Sequence, residues 1–387
     1  MRKPLQALCA TLLLSGCSLI PDFARPAPPV PDAWPTRPDA GAAPAAGMSA
    51  ADMAWADVFA APPLRRLIEQ ALANNRDLRV AALNIEVARA QHGAARADLF
   101  PQLDATAGFS EQRTARAMSK SSPKKAVFTR EASVGLGVTA WELDLFGRLS
   151  SLEAQALESY LASEEARAAT RIALIAEVAN AWLAWLGDRD LLRLTEETLD
   201  SRLKSLELIQ RSFEHGISSE LDLAQARTAV ETARANQARY RRQLDQDRNA
   251  LALLLGGPVG DDLLAGDLGD ARLVEDLPVG LPSETLLKRP DIAKAEHDLR
   301  AANANIGAAR AAFFPSIQLT GSAGYASPSL GNLFQAASGA WAFGPQASVP
   351  IFDWGRNQAN LDAAKANREI AVAQYEKSIQ TAFREVA

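Results

Sequence analysis

Leu143-Asp144-Leu145-Phe146-Gly147-Arg148 returns 208 residues later as Ile351-Phe352-Asp353-Trp354-Gly355-Arg356. Each hexapeptide closes an alternating stretch and opens a long one without proline, so each reads as a strand giving way to a helix. Upstream, a second series of matches lies 214 residues apart. It pairs Asn75-Arg76-Asp77-Leu78 with Arg289-Pro290-Asp291-Ile292, then Gly93 with Gly307, Arg96 with Arg310, Phe100 with Phe314 and Pro101 with Pro315. One match is chance; an ordered series is an internal duplication. The shorter second offset places six extra residues in a loop of the first copy.

Each copy has the same grammar. A helix rich in Ala, Leu, Arg and Glu comes first, over 64–98 and 283–312, because these are strong helix formers. Pro101 or Pro315 then stops it. Period-two alternation follows. Leu103, Ala105, Ala107 and Phe109 oppose Asp104, Thr106, Gly108 and Ser110. After a polar loop over 113–130, Val134, Leu136, Val138 and Ala140 oppose Ser133, Gly135, Gly137 and Thr139. The second copy repeats this with Ile317, Leu319 and Ala323, then Phe343, Ala347, Val349 and Ile351. Stretches of about ten residues fit a tilted strand crossing a membrane. From alternation alone, a membrane barrel and a soluble sheet stand level.

Residues 150–211 contain no proline and one glycine, Gly187. As a helix this stretch is ~93 Å long at 1.5 Å per residue, longer than a globular core needs. His215-Gly216-Ile217-Ser218-Ser219 is a turn, with Gly216 leaving the helical well and Ser218 or Ser219 capping the next helix. Residues 220–255 return as a helix of ~54 Å. Ala162, Ala166, Ala169, Ala173 and Ala176 make a small-residue seam suited to close packing. The lengths predict one continuous helix beside two half-length helices set end to end.

The start of the chain is an address. Met1-Arg2-Lys3 is basic, Leu5 to Leu14 is apolar and too short to span a bilayer, and Leu14-Ser15-Gly16-Cys17 follows. That tetrapeptide resembles a bacterial lipobox, which implies acylation of Cys17; Ser18 after it, rather than aspartate, points to the outer membrane. One acyl chain holds weakly, so stable anchoring takes more than one. Residues 21–63 carry many prolines and read as an extended, unpacked linker that Trp34 and Trp55 tack onto another surface.

The rest of the composition excludes more than it assigns. The chain has 41 Lys+Arg against 46 Asp+Glu, the wrong balance for a nucleic-acid binder. Two cysteines and three scattered histidines leave no disulfide scaffold and no zinc motif. There is no nucleophile elbow or phosphate loop, and the pairs Glu164-Glu165 and Glu196-Glu197 read as solvated helix faces. Enzyme is a poor reading, and no metal or cofactor is expected beyond the lipid.

Taken together, the lipobox, residues 71–78, 141–148, 289–292, 301–307 and 350–356 resemble the TolC family, nearest the NodT-type outer-membrane lipoproteins of tripartite efflux systems. The resemblance runs from Cys17 to Ala387. It implies an α+β membrane protein, in which long helical hairpins form a periplasmic tunnel. Four strands per subunit of a homotrimer would make one 12-stranded barrel. It implies a periplasmic adaptor and an inner-membrane pump, often of the resistance-nodulation-division type, as partners. The expected organisation is a signal peptide over 1–16, an anchored linker over 17–63, a first repeat over 64–256, an equatorial linker over 257–281 and a second repeat over 282–387. By the resemblance, residues 211–220, with His215, Gly216, Ile217, Ser218 and Ser219 at the turn, are the tip that meets the adaptor; a plain helix turn is the alternative. Gly147, Arg148, Gly355 and Arg356 shape the strand exits. Asp144 and Asp353 either line the tunnel mouth or cap helices. Trp141, Tyr325, Trp341 and Trp354 are belt aromatics or core packing.

Two other functions compete with a passive outer-membrane efflux duct: a lipid-anchored periplasmic scaffold whose hairpins stay soluble, and a duct for protein secretion. The first copy runs 107 residues past Arg148 to Leu255, the second only 31 past Arg356. The second repeat is therefore expected to be incomplete, and a chain of this length to trimerise poorly without conducting.

Overall fold

The computed structural model describes residues 18–31, 53–115, 127–271 and 286–387. Cys17 and Trp34 lie outside them. The chain divides into two compact units: Met1–Pro28, Glu86–Ala162 and Ala295–Ser378 in one, and Pro29–Ile85, Ser163–Lys294 and Ile379–Ala387 in the other. Six long helices and four strands carry both: α1 Pro62–Asn74, α2 Arg76–Ala97, β1 Asp104–Thr114, β2 Val127–Leu143, α3 Arg148–Glu214, α4 Glu220–Leu255, α5 Pro290–Ala311, β3 Ser316–Ser327, β4 Gly339–Ser348 and α6 Arg356–Val386. The long helix α3 holds 67 residues without a break and α4 holds the expected 36. The strands eat into the expected polar loop, since β1 reaches Thr114 and β2 starts at Val127.

The second unit is a helical core. Leu64, Leu67, Ile68 and Ala71 of α1 bury against Leu174, Ile175, Val178, Ala179, Trp182 and Leu186 of α3 and Leu251 and Leu255 of α4. Each fully buried Leu or Ile is worth about 1.5–3 kcal/mol over the exposed state, so this stripe, not the alanine seam, fixes the packing. Ala162 of that seam is buried, but Ala173 and Ala176 are exposed, because Leu174, Ile175 and Val178, one or two positions along, remove more area from water. Likewise Glu196 does more than face solvent: it accepts from Arg241 Nη2 at 2.9 Å and Gln237 Nε2 at 3.2 Å, tying α3 to α4.

The first helix of the chain is also two, not one. Asn75 leaves the helical well with ψ 134°. Its Oδ1 accepts from the Leu78 amide at 2.9 Å, and its Nδ2 donates to the Leu254 carbonyl at 2.9 Å. A short amide side chain offers backbone groups partners that compete with helix continuation; here it starts α2 and fastens the end of α1 to the end of α4.

The first unit holds the sheet. Its order is β1-β2-β3-β4, antiparallel throughout. The register sorts the side chains. Phe109, Val134, Leu136, Val138, Tyr325, Trp341 and Phe343 share one face, while Thr106, Ser110, Ser133, Thr320, Ser322 and Gln346 share the other. Between Val138 and Trp141 the ladder bulges, with Ala140 at φ +56°. One extra residue reverses the phase, so Trp141 and Leu143, rather than Ala140, continue the apolar face.

Residues 18–28 correct the reading of an unpacked linker. Arg310 Nη1 donates to the Leu19 carbonyl at 3.1 Å and Asn303 Nδ2 to the Pro21 carbonyl at 2.8 Å. Ile20 sits in the notch left by Gly307, where an added Cβ would come within 2.7 Å of it. Arg25 pairs with Glu296 at 2.9 Å, and Arg300 joins the same carboxylate at 2.7 Å. Proline spacing made the segment extended; extension exposes its carbonyls, and α5 supplies the donors.

Two predictions follow from these contacts. Asn75→Ala removes a cap and leaves the Leu78 amide and the Leu254 carbonyl without this partner, and should lower stability by about 1–3 kcal/mol, read by thermal denaturation followed by circular dichroism. For the strap, burial opposes the charge on Glu296, but hydrogen bonds from Arg25 and Arg300 outweigh it and hold the carboxyl below its usual range. A depressed pKa contributes fully above the unfolded value and is lost as pH falls through the folded one. Limited proteolysis of residues 18–28, scored against an unfolded control at each pH, should therefore be slow near neutral pH and speed up on acidification past that range, and in Glu296→Gln it should be faster with no such dependence on pH.

Candidate functional site

The two strand-to-helix junctions are built alike from different residues. Asp144 Oδ1 accepts from the Leu149 amide at 3.1 Å, and its Oδ2 from the Ser150 amide at 2.8 Å and the Ser150 hydroxyl at 2.6 Å. Asp353 Oδ1 accepts from the Gly355 amide at 3.0 Å and its Oδ2 from the Asn357 amide at 2.8 Å. These are helix caps: carboxylates meeting unpaired amides at the positive end of the helix dipole. The two aspartates are not counterparts, because Asp144 aligns with Phe352 and Asp353 with Leu145. They reach the same place nonetheless, since Leu149 and Asn357 are counterparts.

Gly147 at φ +69° and Gly355 at φ +82° make the sharp exits, a region closed to most side chains. Arg148 clasps Glu142 with two hydrogen bonds, 2.8 and 2.6 Å, a bidentate pair that fixes the strand end against the helix start. At the second junction the position of Glu142 is taken by Pro350. Arg356 is exposed there, and Phe352 and Trp354 meet edge to face at 4.7 Å with 72% and 89% of their surface open. Among the other aromatics, Trp141 is half-buried with Nε1 donating to the Leu99 carbonyl at 3.3 Å. Tyr325 stands edge-on to Phe334, and Trp341 is exposed.

The tip between α3 and α4 is a closed, capped turn. The Ile217 amide bonds back to the Ser212 carbonyl at 2.8 Å and the Gly216 amide to Phe213 at 2.9 Å, with Gly216 at φ +73°. These satisfy the last carbonyls of α3. Ser219 and Asp222 then form a reciprocal capping box, Ser219 Oγ accepting from the Asp222 amide at 3.2 Å and the Ser219 amide donating back at 3.0 Å. Hydrogen bonds from the Ser219 hydroxyl and amide hold the Asp222 carboxyl below its usual range. The backbone is therefore satisfied internally, which leaves side chains to face outward: His215 is exposed and Ile217 is 81% open. Behind the tip a groove of about 600 Å³ runs along the helix pair, lined by Thr198, Arg202, Leu221, Ala224 and Thr228 among others.

Sequence reasoning missed the groove, because it depends on which faces of two helices meet. It also missed Trp354's backbone, at φ +59°. Replacing Ser219 by Ala removes the cap and should speed hydrogen exchange across residues 216–223 about five- to tenfold, the effect of roughly 1 kcal/mol.

A strand-bearing unit, long paired helices and capped junctions between them match known proteins throughout. The family profile described as "Outer membrane efflux protein" matches residues 67–257 and 281–387. The probable efflux pump outer membrane protein TtgC of Pseudomonas putida is 50% identical over all of this chain and 80% of its own length. Outer membrane protein OprJ of Pseudomonas aeruginosa is 46% identical, again over all of this chain and 80% of its own. Among solved structures, a membrane protein from Pseudomonas aeruginosa superposes with a TM-score of 0.86 at 46% identity, over 95% of this chain and 82% of that one. The open MtrE outer membrane channel of Neisseria gonorrhoeae does so with 0.82 at 40% identity, over 95% and 80%. The chain belongs to the outer membrane efflux protein family, a family of channels rather than enzymes, and is an outer-membrane channel subunit with the TolC-like fold.

Proposed function

We propose that the chain works as a lipid-anchored, trimeric and passive duct for small apolar compounds in a tripartite system. The observation that carries this reading is the open sheet. Among the described residues two strand edges are unpaired, one face is apolar and largely exposed, and the other is small and polar. In hydrocarbon every backbone group needs a partner, so an edge cannot stand in lipid and strands from several copies must close a ring. The apolar face then meets lipid and the small polar face lines a water-filled lumen. Relatives named as toluene, solvent and antibiotic efflux pump proteins support small, apolar cargo.

Acylation of Cys17 supplies the anchor in this reading. The strap over residues 18–28 supports it, because that segment is held against α5 from Leu19 onward, two positions after Cys17 in sequence. The hairpin tip with its apolar Ile217 is the adaptor contact. The groove behind it, flanked by Leu221, offers the adaptor's own helices a seat. The pump supplies the energy, and this chain supplies the path.

The test has three readings. Against the sequence expectation of poor trimerisation, the purified protein should give trimers on unheated gels and discrete conductance in planar bilayers; a monomer that never conducts would return the scaffold reading. Cys17→Ala should abolish incorporation of labelled palmitate. Ile217→Asp should leave trimers and conductance intact while cells lose about tenfold or more in solvent or antibiotic tolerance, together with cross-linking to the adaptor. Tolerance at the parental level in that variant would remove the tip from the contact.

A further inference from the structure

The duplication gives each junction a counterpart, and the two are in different states. In the first, Phe146 stacks on Phe314 with ring centroids 4.8 Å apart and planes 19° from parallel. Phe146 is the counterpart of Trp354, and Phe314 is the counterpart of Phe100. The stack therefore joins the end of copy one to the start of copy two. Three residues inward from each ring, Leu143 pairs with Ile317 at the base of the β2–β3 ladder. Their counterparts are Ile351 and Leu103.

The equivalent join, from the end of copy two to the start of copy one, does not occur within the chain, because β4 and β1 are opposite edges of the sheet. All four residues that would make it stand open: Trp354 at 89%, Ile351 at 94%, Phe100 at 64% and Leu103 at 64%. A second copy fits the gap. β4 runs toward its junction and β1 away from one, so joining them is antiparallel, as at β2–β3. The charges also fit. Arg148 finds its carboxylate, Glu142, on its own strand, opposite Gln318. In the second junction those two positions are held by Pro350 and Asp104, so the acid facing the arginine comes from the other strand. Trp354 also keeps a left-handed backbone, φ +59°, which side chains rarely adopt, and its ring meets Phe352 edge-on with most of its surface still open.

We propose that Trp354 of one copy stacks on Phe100 of the neighbouring copy, with Ile351 set opposite Leu103 in a shared β4–β1 ladder and Asp104 of the neighbour facing Arg356. The intersubunit seam thus repeats in trans the aromatic clamp that Phe146 and Phe314 make in cis. This rests on the trimer reading above and adds the register and the residues that hold it.

The test uses the full-length protein in outer membranes and a short bismaleimide. Trp354→Cys with Phe100→Cys should give covalent dimers and trimers on boiled denaturing gels, while each single variant gives only monomer. Phe146→Cys with Phe314→Cys sets the standard for the spacing and should give an intrachain product alone. Trimers on unheated gels without intersubunit product, where the intrachain pair does react, would overturn the seam and leave the trimer reading standing. No trimer on any gel would overturn both. In a variant whose other tryptophans are replaced by Phe, quenching of Trp354 fluorescence by brominated phospholipid would assign the ring to lipid and refute the clamp. Heat dissociation of the trimer provides a second readout that needs no cysteine. Trp354→Ala and Phe100→Ala should each lower the dissociation temperature, Trp354→Phe should keep it, and the double alanine variant should fall no further than the worse single one. Additive losses would mean that the two rings do not touch.

Discussion

An unpaired strand edge is tolerable in water and forbidden in hydrocarbon, where each unsatisfied N–H or C=O costs several kcal/mol. This protein presents two such edges on a four-stranded sheet. Most of its other features answer that constraint. The faces are sorted by register into apolar and small polar sets, and the bulge at Val138/Trp141 keeps Trp141 and Leu143 on the apolar side where the ladder would otherwise have turned them inward. A sheet that stayed in water would have no reason to expose Phe109, Phe128, Leu136, Trp341 and Phe343 on one face.

The helices inherit their placement from the strand ends. A strand leaves its sheet through a glycine in the left-handed region, and an aspartate caps the helix that begins at once. The connection is short, four residues between β2 and α3 and seven between β4 and α6, so the direction of the strand limits the direction of the helix. A small error in that exit angle would misdirect the first turns of α3. The two hydrogen bonds between Arg148 and Glu142 act where such an error would arise. Farther along, Glu196 with Arg241 and Gln237 holds α3 to α4, and the capping box at Ser219 closes the pair without leaving backbone groups in need of a partner.

Periodicity made the strands, α3, α4 and the duplication legible before any coordinates. α4 spans the residues expected of it because the signals at its ends are local: Ser219 caps by side chain and Gly256 takes the left-handed C-terminal position. What stayed hidden depends on partners distant in sequence. Asn75 looks like any polar residue in a helical run until Leu254, 179 positions away, accepts its amide. The strap reads as linker because its bonds come from Asn303 and Arg310. Pattern likewise put Ala140 on the apolar face, since a bulge is invisible to strict alternation. The capping role of Asp144 and Asp353 was one of two readings in sequence; distances to particular amides separate them.

The junctions show how much one residue of offset can do. Asp144 lies three positions before Gly147, whereas Asp353 lies two before Gly355. Both carboxylates still reach the equivalent amides, Leu149 and Asn357, so the helix starts the same way in each copy. The shorter reach at the second junction is taken up in the turn itself. Asp353 closes onto the Gly355 amide at 3.0 Å, and the residue between them, Trp354, enters the left-handed region along with Gly355. In the first copy the corresponding ring, Phe146, folds back onto Phe314 within the chain. In the second the ring is turned out of it. Two copies of one motif can thus cap an equivalent amide, Leu149 or Asn357, and yet turn their aromatic rings differently, and the device is the placement of a single aspartate.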